Sequence, residues 1–325
     1  MVSPSDVVTP PMSVSGAGGC VLLTGARGFT GRYVRSMLLE AGYRVVDAVA
    51  ATTPTLGAVA AVAAADEIVL DITSLDACRA AIDAVRPDYL IHLAAISFVG
   101  HADADAFYGV NVIGSMNLLQ ALVDTGISPR RVLLASSANV YGNAAAGVLD
   151  ESQPPAPVNH YAMSKLAMEY MARTWCDRLP IVITRPFNYT GIGQATQFLV
   201  PKIVSHFQQH APLIELGNLD VERDFSDVRM VARVYRDLLT ADCAGEVVNV
   251  CSGRPYSLRT IVALMEEIAG YEIAVRVNPA FVRANEVRTL VGSTTKLHRL
   301  VGDSGNIALP DTLRWMAQEC VAASA

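Results

Sequence analysis

The 325-residue sequence has no run of lysines and arginines, and its formal net charge is −6. That balance argues against a nucleic-acid surface, although a few local arginines suffice to hold an anionic ligand. None of its six cysteines (Cys20, Cys78, Cys176, Cys243, Cys251 and Cys320) forms a Cys-x-x-Cys pair, and histidine partners at metal-ligand spacing are missing. The expectation is reduced core thiols in a cytoplasmic protein, with no metal site. The start lacks a basic segment followed by an apolar run, so no secretory signal is expected. Residues 1–18 are rich in Pro, Ser and Gly and read as a flexible tail. The alanine-rich stretch Gly57 to Ala65 is too short to span a bilayer. Neither internal repeats nor a low-complexity linker is visible.

What is present is a dense apolar pattern. Hydrophobic residues make up 52% of the chain, enough for a proper globular core. Short β-branched runs at Val21–Leu23, Val45–Val46, Ile68–Leu70, Leu90–Leu93, Val132–Leu134, Ile181–Ile183 and Val247–Val250 read as seven buried strands. Helical stretches such as Arg32–Ala41, Ala106–Gly126 and Tyr161–Arg178 lie between them. Alternation of near-continuous apolar strands with helices predicts an α/β fold, a doubly wound parallel seven-stranded Rossmann sheet covered on both faces. After about residue 187 the alternation breaks and Pro, Gly, Arg and Asn increase. The predicted organisation is a dinucleotide-binding domain of residues 19–186 plus 221–251. A smaller mixed α/β substrate domain, residues 187–220 plus 252–325, covers the carboxyl edge of the sheet.

The first strand runs into Thr24-Gly25-Ala26-Arg27-Gly28-Phe29-Thr30-Gly31, and a helix follows. Glycines permit a tight turn and let backbone approach a pyrophosphate at the helix N-terminus, where N–H groups and dipole favour negative charge. This predicts NAD(P) binding by Gly25, Gly28, Phe29, Thr30 and Gly31. An acid at the end of strand two would hold an NAD ribose, but that place falls near Val49, with Asp47 deeper on the strand. Arg27 lies in the loop, where a guanidinium suits a 2′-phosphate. NADP(H) is therefore preferred, with NAD(H) possible if Asp47 or backbone groups meet the ribose. Asp71 and Ile72, after strand three, suit an adenine edge, or an ordinary helix start.

Strand five ends in Ser136-Ser137-Ala138-Asn139-Val140-Tyr141-Gly142, at the edge where such sheets bind ligands. Tyr161 and Lys165, four apart on the next helix, share one face. An ammonium beside a phenol lowers the tyrosine pKa, which predicts a usable proton near neutral pH. Ser137, Tyr161 and Lys165 together suit carbonyl–alcohol chemistry: Tyr161 passes the proton, Ser137 positions the oxygen, and Lys165 binds cofactor ribose and tunes Tyr161. Ser136 reads as structural, and His160 as a turn residue. Asn111 either orders a relay water or kinks its helix.

Taken in order, these motifs resemble the extended short-chain dehydrogenase/reductase family. The set comprises Thr24-Gly25-x-x-Gly28-x-x-Gly31, Leu93-Ala94-Ala95, Asn111, Ser136-Ser137-x-x-Val140-Tyr141-Gly142, Tyr161-x-x-x-Lys165 and Arg185-Pro186-x-Asn188. The resemblance implies a sheet that holds NAD(P), with Leu93, Ala94 and Ala95 at the cofactor, and a smaller domain that holds a nucleotide sugar. Arg185 to Gln194, Gly217-Asn218-Leu219 and Arg223 to Val228 are similar to GDP-4-keto-6-deoxy-D-mannose reductases. That likeness implies reduction of the C4 ketone of a GDP-4-keto-6-deoxy sugar, of 6-deoxy-D-mannose type or its 6-deoxy-heptose analogue, in GDP-deoxysugar biosynthesis for surface polysaccharide. It also implies substrate contacts from Asn139, Asn188, Val200, Lys202, Arg223, Arg283 and Glu286. Dehydratases of the family place an acid where Asn139 stands, and an amide is no general base; some rhamnose-forming reductases also carry an Asp there, so Asn139 departs from them as well. Fucose-forming relatives need a cysteine and a histidine where Ala138 and about Phe198 stand. A 4-epimerase or 4,6-dehydratase is the alternative activity, and a non-catalytic dinucleotide sensor a remote one. The family pattern further implies a homodimer through a four-helix bundle, with Met116, Leu119, Met168 and Met171 in its seam.

Overall fold

The computed structural model describes residues 18–50, 66–97, 103–143, 147–281 and 289–322. In chain order the first half contains β1 (Cys20–Thr24), α1 (Phe29–Glu40), β2 (Arg44–Val49), β3 (Glu67–Val69), α2 (Leu75–Val85), β4 (Tyr89–His92), α3 (Ala104–Tyr108), α4 (Ser115–Asp124), β5 (Arg131–Ala135), β6 (Gly147–Leu149) and α5 (His160–Arg173). The second half contains β7 (Ile181–Pro186), β8 (Asn188–Thr190), α6 (Leu199–Gln208), β9 (Leu213–Leu216), β10 (Glu222–Asp227), α7 (Val228–Asp237) and β11 (Val247–Val250). It continues with β12 (Pro255–Ser257), α8 (Leu258–Ala269), β13 (Ala274–Val277), β14 (Thr289–Gly292), α9 (Thr295–Val301) and α10 (Leu309–Ala322).

The seven apolar runs all become strands of one parallel sheet, ordered β11-β7-β5-β4-β1-β2-β3. Both sheet faces are covered, which explains why the strands are apolar without alternation. One face buries Leu22, Leu90, Val132 and Ile183 under α2, α4 and α5. The other buries Val21, Leu23, Ile91 and Val182 under α1 and α7. The order reverses at β1, which neighbours both β2 and β4, and ligand crevices form outside such a switch point.

A second sheet is ordered β12-β10-β14-β6, with β8 beside β10. Its strands β6 and β10 fall within the ranges expected for the dinucleotide domain, so hydrogen bonding crosses the boundary drawn from composition. A third core joins α6, α8 and α10 through Ile203, Phe207, Ile261, Met265 and Leu313. Cys20, Cys78, Cys243 and Cys251 are buried free thiols, and Cys176 is partly buried.

Two helices differ from expectation. The long helix expected over Ala106–Gly126 starts at Ala104 and is interrupted by a π-helical segment, Gly109–Gly114. Buried Asn111 lies within it: its Nδ2 donates to Ile96 O (3.2 Å) and Ser164 Oγ (3.0 Å), while its Oδ1 accepts from Ile96 N (3.0 Å). Side-chain bonds of this kind accompany such wider turns, which favour functional sites. By length and composition Ala104–Asp124 could cross a membrane, but half of it is buried and its Leu118, Leu119, Ala121 and Leu122 belong to the sheet core. The helix expected to reach Arg178 ends at Arg173; Thr174, Trp175 and Cys176 bond three residues back, tightening the turn before Pro180.

Candidate functional site

A cleft of about 2610 Å³ runs along the carboxyl edge of the seven-stranded sheet. That is beyond the roughly 300–1,000 Å³ typical of one small-molecule pocket and gives room for two ligands end to end. Every site residue expected from the sequence that lies among the described residues lines this cleft. Arg283 and Glu286 lie outside the described residues.

At one end the glycine loop turns from β1 into α1. Gly25 has φ +71°, and a Cβ there would stand 2.8 Å from Ala94 N. A Cβ on Gly31 would stand 2.2 Å from Gly25 O. Only glycine allows this loop to fold against its own helix and the end of β4. The N-terminus of α1 has no side-chain cap and no acid in its first turn, so its N–H groups suit an anion. The loop therefore fits a pyrophosphate. Asp71 does not cap α2, a role that Ser74 takes by accepting from Ala77 N (3.3 Å). Asp71 instead accepts from Thr73 N (2.9 Å) and Thr73 Oγ1 (2.6 Å) and lines the cleft beside Ile72. Arg27 reaches Glu67 (2.8 Å), and Asp47 bonds Arg35 (2.7 Å) and does not line the cleft.

At the middle of the cleft Ser137, Tyr161 and Lys165 come together. Asn159 caps α5 by accepting from Ala162 N (2.9 Å), which starts the helix just ahead of Tyr161. Ser137 Oγ accepts from Asn139 N (3.2 Å) and Asn139 Nδ2 (3.0 Å). Both acceptor positions are thereby filled, and the hydroxyl proton is left to donate. Lys165 Nζ donates to Ala135 O (2.7 Å). Burial lowers the Lys165 pKa to about 8, and the Glu169 charge opposes that shift.

The expected acidification of Tyr161 is not what the structure gives. Burial pushes its pKa up to about 12; the Ser137 hydroxyl pulls it back only partly, and Lys165 is turned toward Ala135. Desolvation of the phenolate outweighs its neighbours. Tyr161 therefore carries its proton at neutral pH, as a donor must.

Toward the other end, the parallel register of β8 and β10 sets Asn188 opposite Phe225, two residues beyond Arg223. Asn188 Nδ2 donates to Asp224 O (3.2 Å), and Arg223 Nη1 to Glu222 O (2.8 Å). Lys202 Nζ donates to Glu215 O (2.7 Å) and lies 4.6 Å over the Phe281 ring. Val200 is buried, sharing the third core with the cleft wall.

Four residues with a bearing on the site escaped the sequence reading. Tyr189 stacks on Phe29 (6.0 Å between ring centres, 9° between planes) and its hydroxyl bonds Thr30 (2.8 Å), fastening β8 to the glycine loop. Glu169 receives Ser136 Oγ (2.6 Å) and pairs with Arg185. Glu67 holds Arg27. His92 is buried, its Nδ1 2.7 Å from Thr24 Oγ1 and its Nε2 2.9 Å from Ser115 Oγ. Thr24 Oγ1 already accepts from Leu93 N and Ala94 N, so it donates to Nδ1 and the ring proton sits on Nε2. Burial, then the Lys165 charge, lowers the His92 pKa to about 3. His160 stands at the helix start against Tyr108 (3.1 Å), outside the cleft lining. Leu119 and Met168, expected in a dimer seam, are instead fully buried in the sheet core, and Met116 and Met171 pack partly buried against it. Among the described residues no group of three His, Cys, Asp or Glu could hold a metal ion.

The chain resembles known proteins over nearly its whole length. A family model described as GDP-mannose 4,6-dehydratase matches residues 22–316. A GDP-6-deoxy-D-talose 4-dehydrogenase of Aggregatibacter actinomycetemcomitans is 35% identical over 283 residues, 87% of this chain and 91% of that protein. A GDP-6-deoxy-D-mannose reductase of Pseudomonas aeruginosa is 37% identical over 239 residues, 70% of this chain and 78% of that one. Among solved structures, a candidate epimerase from Burkholderia cenocepacia J2315 is 51% identical, with a TM-score of 0.86 over 93% of this chain and 98% of that one. RMD from Pseudomonas aeruginosa, complexed with NADPH, is 30% identical, with a TM-score of 0.78 over 94% of this chain and 99% of that one.

Proposed function

The chain belongs to the GDP-mannose 4,6-dehydratase family, within the NAD-dependent epimerase/dehydratase superfamily, and from that membership we propose that it reduces the C4 ketone of a GDP-4-keto-6-deoxy sugar with NADPH. The substrate is of 6-deoxy-D-mannose type or its 6-deoxy-heptose analogue, and the product is a GDP-deoxysugar for surface polysaccharide. The relatives' names support the class, one being a GDP-6-deoxy-D-mannose reductase and another a GDP-6-deoxy-D-talose 4-dehydrogenase. These two sugars differ in the C4 hydroxyl, the centre this reaction creates.

One observation carries the reading. Ser137, Tyr161 and Lys165 meet in the cleft, while no cysteine or histidine is found among its described lining residues, and the segments bearing the three bring no carboxylate to its wall. Dehydration or epimerisation at C3 or C5 needs a further acid or base at carbon. This set is sufficient for delivery of a proton to oxygen.

The nicotinamide supplies the hydride when bound. Tyr161, protonated at neutral pH, gives its proton to the C4 oxygen. Ser137, oriented by Asn139, donates a hydrogen bond to that oxygen and fixes the ketone. Lys165 holds cofactor ribose hydroxyls with donors freed from Ala135, and its charge favours the phenolate left on Tyr161. The glycine loop and the α1 N-terminus take the pyrophosphate, Leu93, Ala94 and Ala95 line the cofactor beside that loop, Asp71 and Ile72 flank the adenosine, and Arg27 favours the 2′-phosphate. Segments 187–220 and 252–325 hold the GDP end through Asn188, Lys202, Arg283 and Glu286, joined by Arg223 of β10, with bidentate arginines on the diphosphate. Exposed Ile113, Met163 and Tyr170 suit the face of a homodimer, and the place of action is the cytoplasm.

Two incubations test the proposal. With an enzymatically made GDP-4-keto-6-deoxy sugar, NADPH absorbance falls and NMR identifies the C4 alcohol. With GDP-mannose and no added reductant, nothing accumulates; a 4-keto product there would make the protein a dehydratase and overturn the reading.

A further inference from the structure

The adenosine end of the cleft carries an ion pair that the proposed chemistry does not use. Arg27 leaves the glycine loop and donates through one nitrogen, Nη2, to both carboxylate oxygens of Glu67, at 2.9 and 2.8 Å. Glu67 is the first residue of β3, paired in register with Asp47 of β2. Both members of the pair line the cleft.

Their neighbours leave them little competition. The end of β2 presents Ala48, Val49 and Ala50, which have no side-chain acceptor for a ribose hydroxyl. Asp47 is held by Arg35, and Asp71 is turned onto Thr73. Of the described cationic residues that line the cleft, Lys165, Lys202 and Arg223 lie on α5, α6 and β10, away from this end. Arg27 is the one cation described at the adenosine end, and a carboxylate already occupies it.

We propose that Glu67 sets the cofactor preference by competing with the 2′-phosphate of NADPH for Arg27. The inference rests on the dinucleotide reading above and goes beyond it by naming the residue that tunes the choice. A guanidinium binds carboxylate and phosphate oxygens with the same donors. A 2′-phosphate that approaches Arg27 therefore either displaces Glu67, leaving its charge without a partner, or shares Arg27 with it at short range. Both outcomes penalise the phosphate. A 2′-hydroxyl meets no such opposition and can donate to the Glu67 carboxylate while the ion pair stays intact. The Arg27 side chain is 63% exposed and that of Glu67 26%, so the pair is weak and opens readily. Glu67 thus moderates the NADPH preference that Arg27 confers and keeps NADH usable.

The test measures dissociation constants for NADPH and NADH by fluorescence titration of the full chain. Wild type, Glu67→Gln, Arg27→Gln and the double variant are compared at low and at high salt. Arg27 is exposed and Glu67 half-buried, and each substitution keeps a polar side chain of similar reach, so the variants should fold. Glu67→Gln should tighten NADPH about three- to tenfold, the range that one exposed ion pair and one like-charge contact supply. NADH should stay the same or weaken, and added salt should shrink the gain. In the Arg27→Gln background the gain should fall to less than half on a logarithmic scale, because the contested cation is gone. An unchanged NADPH-to-NADH ratio in Glu67→Gln would overturn the proposal, as would an equally large gain without Arg27. Failure of the wild type to bind either dinucleotide would instead defeat the cofactor reading itself, and the role of Glu67 with it.

Discussion

Arg185 of β7 and Glu169 of α5 form an ion pair 2.6 Å long whose side chains are 2% and 0% exposed. Glu169 lies one turn beyond Lys165 and also receives the Ser136 hydroxyl, so one carboxylate ties the helix of Tyr161 and Lys165 to β5 and β7. Removing one partner strands a buried charge. Glu169→Gln should cost about 3–5 kcal/mol of stability, read as a lower urea midpoint. Replacing both residues with methionine should recover much of that loss. A single variant as stable as wild type would show that the tether is dispensable.

His92 makes stability pH-dependent in a defined window. Its folded-state pKa, about 3, lies below the ordinary 6.5. As pH falls below about 6.5 the unfolded chain takes up a proton that the folded chain refuses. The contribution is thus fully present above 6.5 and is lost progressively toward 3. Urea unfolding between those limits should show wild type losing about 1.4 kcal/mol per pH unit more than His92→Asn. Parallel curves for the two proteins would mean that His92 is charged, or solvated, in the folded state.

Asn139 fills both acceptor positions of Ser137 Oγ and so aims the hydroxyl proton. Asn139→Asp replaces a donor with an acceptor that competes for that proton. It should lower kcat on the ketosugar about tenfold or more, while Ser137→Ala should lower it roughly 10²–10³-fold. Neither residue belongs to the dinucleotide loop, so NADPH affinity should change little. A fall in NADPH affinity as large as the fall in kcat would assign both residues to the cofactor instead.

Gly25→Ala combines a disfavoured backbone with a Cβ placed 2.8 Å from Ala94 N. Stability should fall by about 1–3 kcal/mol, and dinucleotide affinity should weaken with it because the loop must open. Unchanged affinity for both dinucleotides would separate the loop from cofactor binding.

The seven sheet strands were legible because burial on both faces leaves an uninterrupted apolar signal. The glycine loop and the Tyr161–Lys165 pair were legible because glycine at Gly25 and Gly31 and helical spacing are local constraints, whereas Asn188, Val200, Lys202 and Arg223 came from the family resemblance alone. Glu169 was within reach, since it continues the same helix face four residues on. The Tyr189–Phe29 stack and the bonding of His92 were not, because each joins residues far apart in the chain. Tyr161 shows the limit most clearly: helical spacing brings Lys165 to its face, but the depth of the cleft decides its pKa. Leu119 and Met168 show it again, since an apolar side chain suits a subunit seam and a core equally.

The central claim is that Tyr161 hands a proton to a ketone while hydride reaches the adjoining carbon. The most direct measurement supplies a GDP-4-keto-6-deoxy sugar with NADPH deuterated at the transferred position and follows the product by NMR. Wild type should place one deuteron at C4 for each cofactor consumed, and Tyr161→Phe should slow this about 10²–10⁴-fold with NADPH affinity unchanged. Deuterium absent from C4, or a phenylalanine variant that turns over within twofold of wild type, would contradict the account.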